Sequence, residues 1–342
     1  MIATTHTLSL TGTDTAYPCT EDDTVLRAAL RAGIGFPYEC NVGSCGNCKF
    51  ELIEGAVDMA WAQAPGWREK DKLNQRFLGC QSHVKGNCVI KFNPKDHYVP
   101  PHRPQRVQAT LVSRRRITHD ISEFSFQLAT PLTFEPGQYA LLYLPGITGA
   151  RAYSMSNMAD GSGQWQLQVR RTPAGVGTAA LFDQVQVGQT LTLDGPYGMA
   201  YLRRAVPRDI LCLAGGSGLA PMISIARAVM TDPNMAGVKL DFVYGGRTAQ
   251  DVCGEDMLRA LPGWGQRLHF HPSISPAPEG GSVAPWTGAV GFVHEVAKEL
   301  FAEQLPSKEI YFAGPPPMAM ALQRMLLQAK VPFGQVHFDQ FY

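Results

Sequence analysis

Cys40-Asn-Val-Gly-Ser-Cys45-Gly-Asn-Cys48 puts three cysteines into nine residues, and a fourth follows in Leu78-Gly-Cys80-Gln81. The spacing C-x4-C-x2-C with a distant fourth cysteine is that of a plant-type [2Fe–2S] site. The chemistry demands such a pattern. Three thiolates must reach two irons from one loop, and the loop must curl so that its amide N–H groups point at the sulfides. Gly43, Ser44, Gly46 and Asn47 are small or turn-forming residues, as the curl needs. Cys40, Cys45, Cys48 and Cys80 are therefore the expected metal ligands. A structural zinc site is the rival, but zinc sites usually pair two C-x2–4-C knuckles, and only one half here has that form. Cys19, Cys88, Cys212 and Cys253 read as packing residues.

Outward from this loop, residues 1–93 read as a small mixed domain. Strands are expected at Thr7–Leu10, Ala16–Cys19, Lys49–Ile53 and Val89–Phe92, with a helix around Thr24–Ala32 that ends at Gly33 and Gly35. Residues 94–104, with four prolines in Asn93–Pro104, read as a semi-rigid linker. Over 105–205, strands at 107–112, 123–128, 139–144, 165–170 and 190–193 alternate with Gly and Pro, which predicts an antiparallel barrel. Over 206–342, buried strands at 210–213, 240–244, 268–271 and 310–312 alternate with helices at 219–230, 292–300 and 318–329. That alternation predicts a doubly wound α/β domain.

Composition narrows the class. The 342 residues carry 30 basic and 29 acidic side chains, a net charge of +1 that lacks the concentrated basic face of a nucleic-acid binder. No apolar run approaches the ~20 residues of a membrane span, and the N-terminus has no secretory pattern. The expectation is a cytoplasmic monomer with neither membrane nor nucleic acid as partner.

Two Gly-rich turns point to phosphate binding. Leu213-Ala-Gly215-Gly216-Ser-Gly218 follows an expected strand and opens a helix, so its backbone can approach a pyrophosphate at a helix start. Arg170-Arg-Thr-Pro-Ala-Gly175-Val-Gly177-Thr178 leads into a helix expected near Thr178–Gln184 and reads as a second cradle. After the next strand, Arg247 is accompanied by Asp251, Glu255 and Asp256, which suits the free ribose of NADH better than a 2′-phosphate.

The stretches Phe36–Cys48 and Arg76–Gln81 resemble the ferredoxin module of reductases serving bacterial aromatic-ring oxygenases, of the toluene-monooxygenase and naphthalene-dioxygenase types. The resemblance runs through all three domains. It implies an N-terminal β-grasp [2Fe–2S] ferredoxin domain, an antiparallel β-barrel for FAD, and a C-terminal NAD(P)-binding domain. Arg151-Ala-Tyr153-Ser154 is similar to the R-x-Y-S signature of the ferredoxin–NADP reductase superfamily. That likeness implies that Arg151 neutralises pyrophosphate, Tyr153 packs on the flavin and Ser154 bonds near its reactive nitrogen. Phe312-Ala313-Gly314-Pro-Pro-Pro317-Met318 resembles the family's C-G-P-P-x-M turn at the nicotinamide, with Ala313 where the family has cysteine. The C-terminal Asp339 and Tyr342 match an acid and a terminal aromatic that relatives place near the flavin.

The implied activity is that of an iron–sulfur flavoprotein reductase of the ferredoxin–NAD+ reductase type. Electrons would pass from NADH to FAD to [2Fe–2S] and on to a Rieske ferredoxin, a Rieske oxygenase or a di-iron hydroxylase. The alternatives are a reductase of the same build for a non-aromatic pathway, such as deoxysugar synthesis or a methane-type monooxygenase, and a redox-sensing binding module.

Overall fold

The computed structural model describes residues 3–276 and 286–341. Three sheets organise the chain. The first has five strands in the order Ala16–Thr20, Thr5–Leu10, Cys88–Lys91, Lys49–Glu54, Arg76–Leu78. Its helix, Val25–Arg31, begins where the Thr24 hydroxyl accepts from the Arg27 amide, and every residue from Val25 to Leu30 is buried. The Leu26 amide donates to the Gly79 carbonyl at 3.0 Å, which ties the helix directly to the segment carrying Cys80.

The second sheet is antiparallel, with six strands in the order Arg151–Ser154, Tyr139–Tyr143, Thr190–Tyr197, Gln105–Arg116, Ile121–Leu128, Gln164–Arg170. A bridge between Met155 and Leu167 joins its two edges, so the sheet closes into the expected barrel. The third is parallel, in the order Ala289–Val290, Leu268–Ile274, Leu240–Gly246, Ile210–Gly215, Glu309–Gly314, Val336–Gln340. Strand order reverses beside Ile210–Gly215, and ligands of such sheets bind in the crevice at the strand ends there.

One local expectation is corrected. The helix expected near Thr178–Gln184 starts earlier, as a turn at Val176–Ala179 that widens over Ala180–Gln184. The proline-rich connector is tied to the first domain at both ends. Its Lys95 amide donates to the Gly35 carbonyl at 2.9 Å, and the Pro104 carbonyl accepts from Arg31 at 3.0 Å. One apolar cluster runs from the first sheet into the barrel, joining Leu26, Tyr38 and Cys80 to Tyr139, Leu141 and Tyr197. Among the described residues no helix is long and apolar enough to cross a membrane.

Candidate functional site

The loop around Cys40–Cys48 has positive φ at Asn41 (55°), Gly43 (92°) and Gly46 (78°), a repeated reversal that turns successive amides inward. The Cys45 amide donates to the Cys40 sulfur at 3.3 Å and the Asn47 amide to the Cys45 sulfur at 3.4 Å. The Gln81 side chain approaches the Cys80 sulfur at 3.7 Å. A hydrogen bond from the Cys45 thiol, helped by amides of the loop and opposed by burial, pulls the Cys40 thiol down to about 6. Such a nest stabilises sulfur anions. The sulfurs fall into two pairs, Cys40 with Cys45 and Cys48 with Cys80. Among the described residues no three of these sulfurs lie within 4.8 Å of one another. That donor set fits a two-iron cluster and not a single tetrahedral zinc.

On the barrel, the edge strand Arg151–Ser154 pairs with Tyr139–Tyr143 so that Ser154 stands opposite Tyr139. Ser154 is buried, and burial pushes the phenol of the neighbouring Tyr153 up to about 12, keeping it neutral. Arg151, Gly175, Gly177 and Thr178 come together. A Cβ on Gly177 would lie 3.1 Å from the Arg151 stem, and the Thr178 hydroxyl donates to the Gly175 carbonyl at 3.0 Å. This grouping of a guanidinium with a glycine-rich turn has the chemistry that a flavin diphosphate needs, and here Arg151 Nη1 donates to the carbonyls of Thr148, Gly149 and Ala150. Arg170, grouped with that cradle by sequence, turns elsewhere. Its Nε donates to Asp120 at 2.6 Å, and it lines the cleft of the parallel sheet beside Gly216.

That cleft holds about 420 Å³ at the strand-order reversal and includes Gly215, Gly216 and Arg247 in its walls. Gly215 and Gly314 leave room for the Met318 sulfur, which a Cβ would meet at 2.8 and 3.1 Å. Gly218 has another task, because its Cβ would sit 2.0 Å from the Ala313 carbonyl oxygen. It lets the helix Leu219–Thr231 close onto the strand Glu309–Gly314. Arg247 is engaged by Asp251 at 3.3 Å and Asp120 at 3.6 Å.

Sequence reasoning did not find the seam between the cluster loop and the barrel. The Tyr139 hydroxyl donates to the carbonyl of Glu39, next to Cys40, at 2.6 Å. The Tyr38 hydroxyl accepts from the Gly198 amide at 2.9 Å. Arg31 forks onto Asp194 at 2.9 and 2.7 Å, and Tyr197 donates to the same carboxylate at 2.8 Å. Tyr139 and Tyr197 look like ordinary barrel residues until the fold brings them to the cluster loop, while Tyr38 lies two residues before Cys40 and only its barrel partner is hidden from the sequence.

Asp339 pairs in register with Ala313 and is buried, with Oδ2 lacking a hydrogen-bond partner among the described residues. Burial, then the nearby Glu39 carboxylate, raises it to about 7. Burial and the charge of Cys40 raise Glu39 likewise to about 7. Tyr342 lies outside the described residues.

A curled loop of clustered cysteines, a closed barrel and a dinucleotide-type sheet, joined at one seam, define an iron–sulfur flavoprotein reductase. Residues 8–85 match the 2Fe-2S iron-sulfur cluster binding domain, 108–201 the oxidoreductase FAD-binding domain and 212–324 the oxidoreductase NAD-binding domain. The chain is 38% identical to the ferredoxin–NAD(P)+ reductase CarAd of Metapseudomonas resinovorans, over 95% of this chain and 96% of that one. It is 38% identical to the ferredoxin–NAD+ reductase component of the alkene monooxygenase system of Xanthobacter autotrophicus, over 95% and 98%. A solved ferredoxin reductase of carbazole 1,9a-dioxygenase superposes with a TM-score of 0.90 at 34% identity, covering 100% of both chains. The chain belongs to the family of ferredoxin–NAD(P)+ reductase components of oxygenase systems, iron–sulfur flavoproteins that move electrons from NAD(P)H toward an oxygenase.

Proposed function

We propose that this chain is the NADH-dependent reductase of an aromatic-ring oxygenase system, passing electrons through FAD and a [2Fe–2S] cluster to a Rieske ferredoxin, a Rieske oxygenase or a di-iron hydroxylase. FAD takes up a pair of electrons and releases them singly, which is what a one-electron cluster requires of its donor. Residues 1–93 form the cluster domain, 94–104 the connector, 105–205 the flavin barrel and 206–342 the coenzyme domain. The protein acts as a cytoplasmic monomer.

Cys40, Cys45, Cys48 and Cys80 hold the cluster. Arg151 and the Gly175–Thr178 turn would hold the flavin diphosphate, and Tyr153 and Ser154 would shield and hydrogen-bond its ring. Gly215, Gly216, Arg170 and Arg247 would line the coenzyme's cleft, with Met318, seated by Gly215 and Gly314, completing its wall. Asp251, tied to Arg247, leaves no place for a 2′-phosphate. The buried Asp339 carboxyl, raised to about 7, can take up or release a proton near neutral pH.

The observation that carries the reading is the run from Ser154 through its strand partner Tyr139 to the Glu39 carbonyl, one residue from Cys40. It supports the reading because a single buried tyrosine bonds the proposed flavin strand to the cluster loop.

An anaerobic NADH titration followed by absorption and EPR tests this. Flavin bleaching and then a rhombic reduced-cluster signal are expected; flavin reduction with no such signal in iron-replete protein contradicts the order of carriers. In Cys48→Ser, cytochrome c reduction is expected to disappear while NADH still bleaches the flavin. Loss of both activities would count against the assigned sequence.

A further inference from the structure

Arg27 lies inside the seam, 6% exposed, and makes three hydrogen bonds. Its Nε donates to Asn41 Oδ1 at 3.2 Å, Nη2 to the Asn41 carbonyl at 3.2 Å, and Nη1 to the Tyr143 hydroxyl at 3.1 Å. All three acceptors are neutral. Among the described residues Arg27 forms no ion pair, whereas Arg31, one turn along the same helix, pairs with both Asp23 and Asp194. A buried cation without a bonded anion is costly and must be offset by charge nearby.

The surroundings say where that charge is. Asn41 directly follows Cys40 and is held at φ 55°, so Arg27 grips the ligand loop at its first turn. The Arg27 helix is bonded to Gly79, and the Cys80 sulfur lies within electrostatic range of the guanidinium. Burial, the largest influence, opposes the charge, yet Arg27 is held above its ordinary range; besides the hydroxyls of Tyr143 and Tyr197, the groups that favour its charge are the Asp194 carboxylate and the Cys80 sulfur. Asp194 is already shared by Arg31, Tyr197 and, at 3.8 Å, Arg106. Two ferric ions, two sulfides and four thiolates sum to two negative charges, and one added electron makes three with no proton taken up.

We propose that Arg27 is the counter-charge of the iron–sulfur cluster, a positioning residue that stabilises the reduced cluster from the side facing the flavin barrel. Asn41 fixes the guanidinium against the ligand loop, and Tyr143 fixes it against the barrel. The one electron lost by the reduced flavin is the one gained by the cluster, and the nearby positive charge favours that transfer. The inference rests on Cys40, Cys45, Cys48 and Cys80 being the cluster ligands.

The test is an EPR-monitored redox titration of the holoprotein and its variants, with iron, sulfide and FAD measured on each. In Arg27→Gln the cluster midpoint is expected to fall, shifting the flavin-to-cluster equilibrium about tenfold toward flavin, or about 59 mV for a one-electron couple. The flavin midpoint is expected to stay put. Arg27→Lys, which keeps the charge and loses the fork, is expected to retain the wild-type cluster midpoint. An unchanged midpoint in cluster-replete Arg27→Gln overturns the proposal. If Arg27→Gln does not assemble a cluster, Arg27→Lys decides: a retained midpoint supports it, and a tenfold shift shows that hydrogen-bond geometry, not charge, sets the potential. A wild-type protein with no rhombic signal would overturn the ligand assignment and this inference with it.

Discussion

Arg247 is 64% exposed, yet its guanidinium is not free to receive a ligand phosphate, because Asp251 and Asp120 both hold it. Asp251 is itself kept ionised: burial works against its charge, but the Thr248 hydroxyl and amide and Arg247 lower it below the ordinary carboxylate range. A 2′-phosphate brought here meets carboxylates before it meets a cation. Asp251→Asn should therefore narrow the preference for NADH over NADPH by roughly tenfold, about 1.4 kcal/mol. The comparison is kcat/KM for each coenzyme, and an unchanged ratio would place discrimination on other residues. The acids beside Arg247 were visible in the sequence, but Asp120 was not. It comes from the barrel, where the bend before the strand Ile121–Leu128 swings it over to the coenzyme sheet, and no local pattern announces such a crossing.

At the level of elements, the turn Val176–Ala179 seats the proposed flavin-phosphate arginine, because Gly177 leaves a side chain's width for the Arg151 stem. Gly177→Val would drive a branched side chain into that stem and displace the guanidinium. Purified Gly177→Val should retain FAD about tenfold more weakly, with iron content unchanged, as read from flavin and iron per protein. Full flavin retention would move the diphosphate elsewhere on the barrel. The long strands and the apolar helix Leu219–Thr231 were legible because their periodicity is strong and the cores they face are large. The short elements Val57–Met59, Glu69–Leu73 and Ser82–Val84 were not, since three to five residues carry too little pattern to stand out. The cysteine spacing needed no fold to be read; the pairing of its sulfurs did.

Across the whole molecule, the Arg31–Asp194 fork clamps the cluster domain to the barrel. Asp194 is fully buried, and although burial opposes its charge, Arg31 chiefly, with Arg27 and Tyr197, holds it below the ordinary range. A carboxylate depressed in the folded state adds stability above its unfolded pKa of about 3.9 and loses it as pH falls through the lower folded value. The clamp is thus fully engaged at neutral pH and fails only in acid. Arg31→Gln strands the buried carboxylate, at a cost of about 3 kcal/mol. NADH-to-flavin reduction should persist in this variant while cytochrome c reduction drops, and its melting temperature at pH 7 should fall. Equal turnover and melting temperature would mean that the apolar part of the seam suffices.

The connector extends the same point. A ferredoxin on a loose tether meets its flavin at a frequency set by linker length and solvent viscosity, as an effective concentration. Here Lys95 is stitched to Gly35 and Pro104 to Arg31, so both ends of the connector are fastened to the domain it would otherwise release. Internal transfer is then a first-order property of a fixed distance, indifferent to glycerol and to dilution. The arrivals of NADH and of the external acceptor remain collisions, and they alone should respond to ionic strength and crowding.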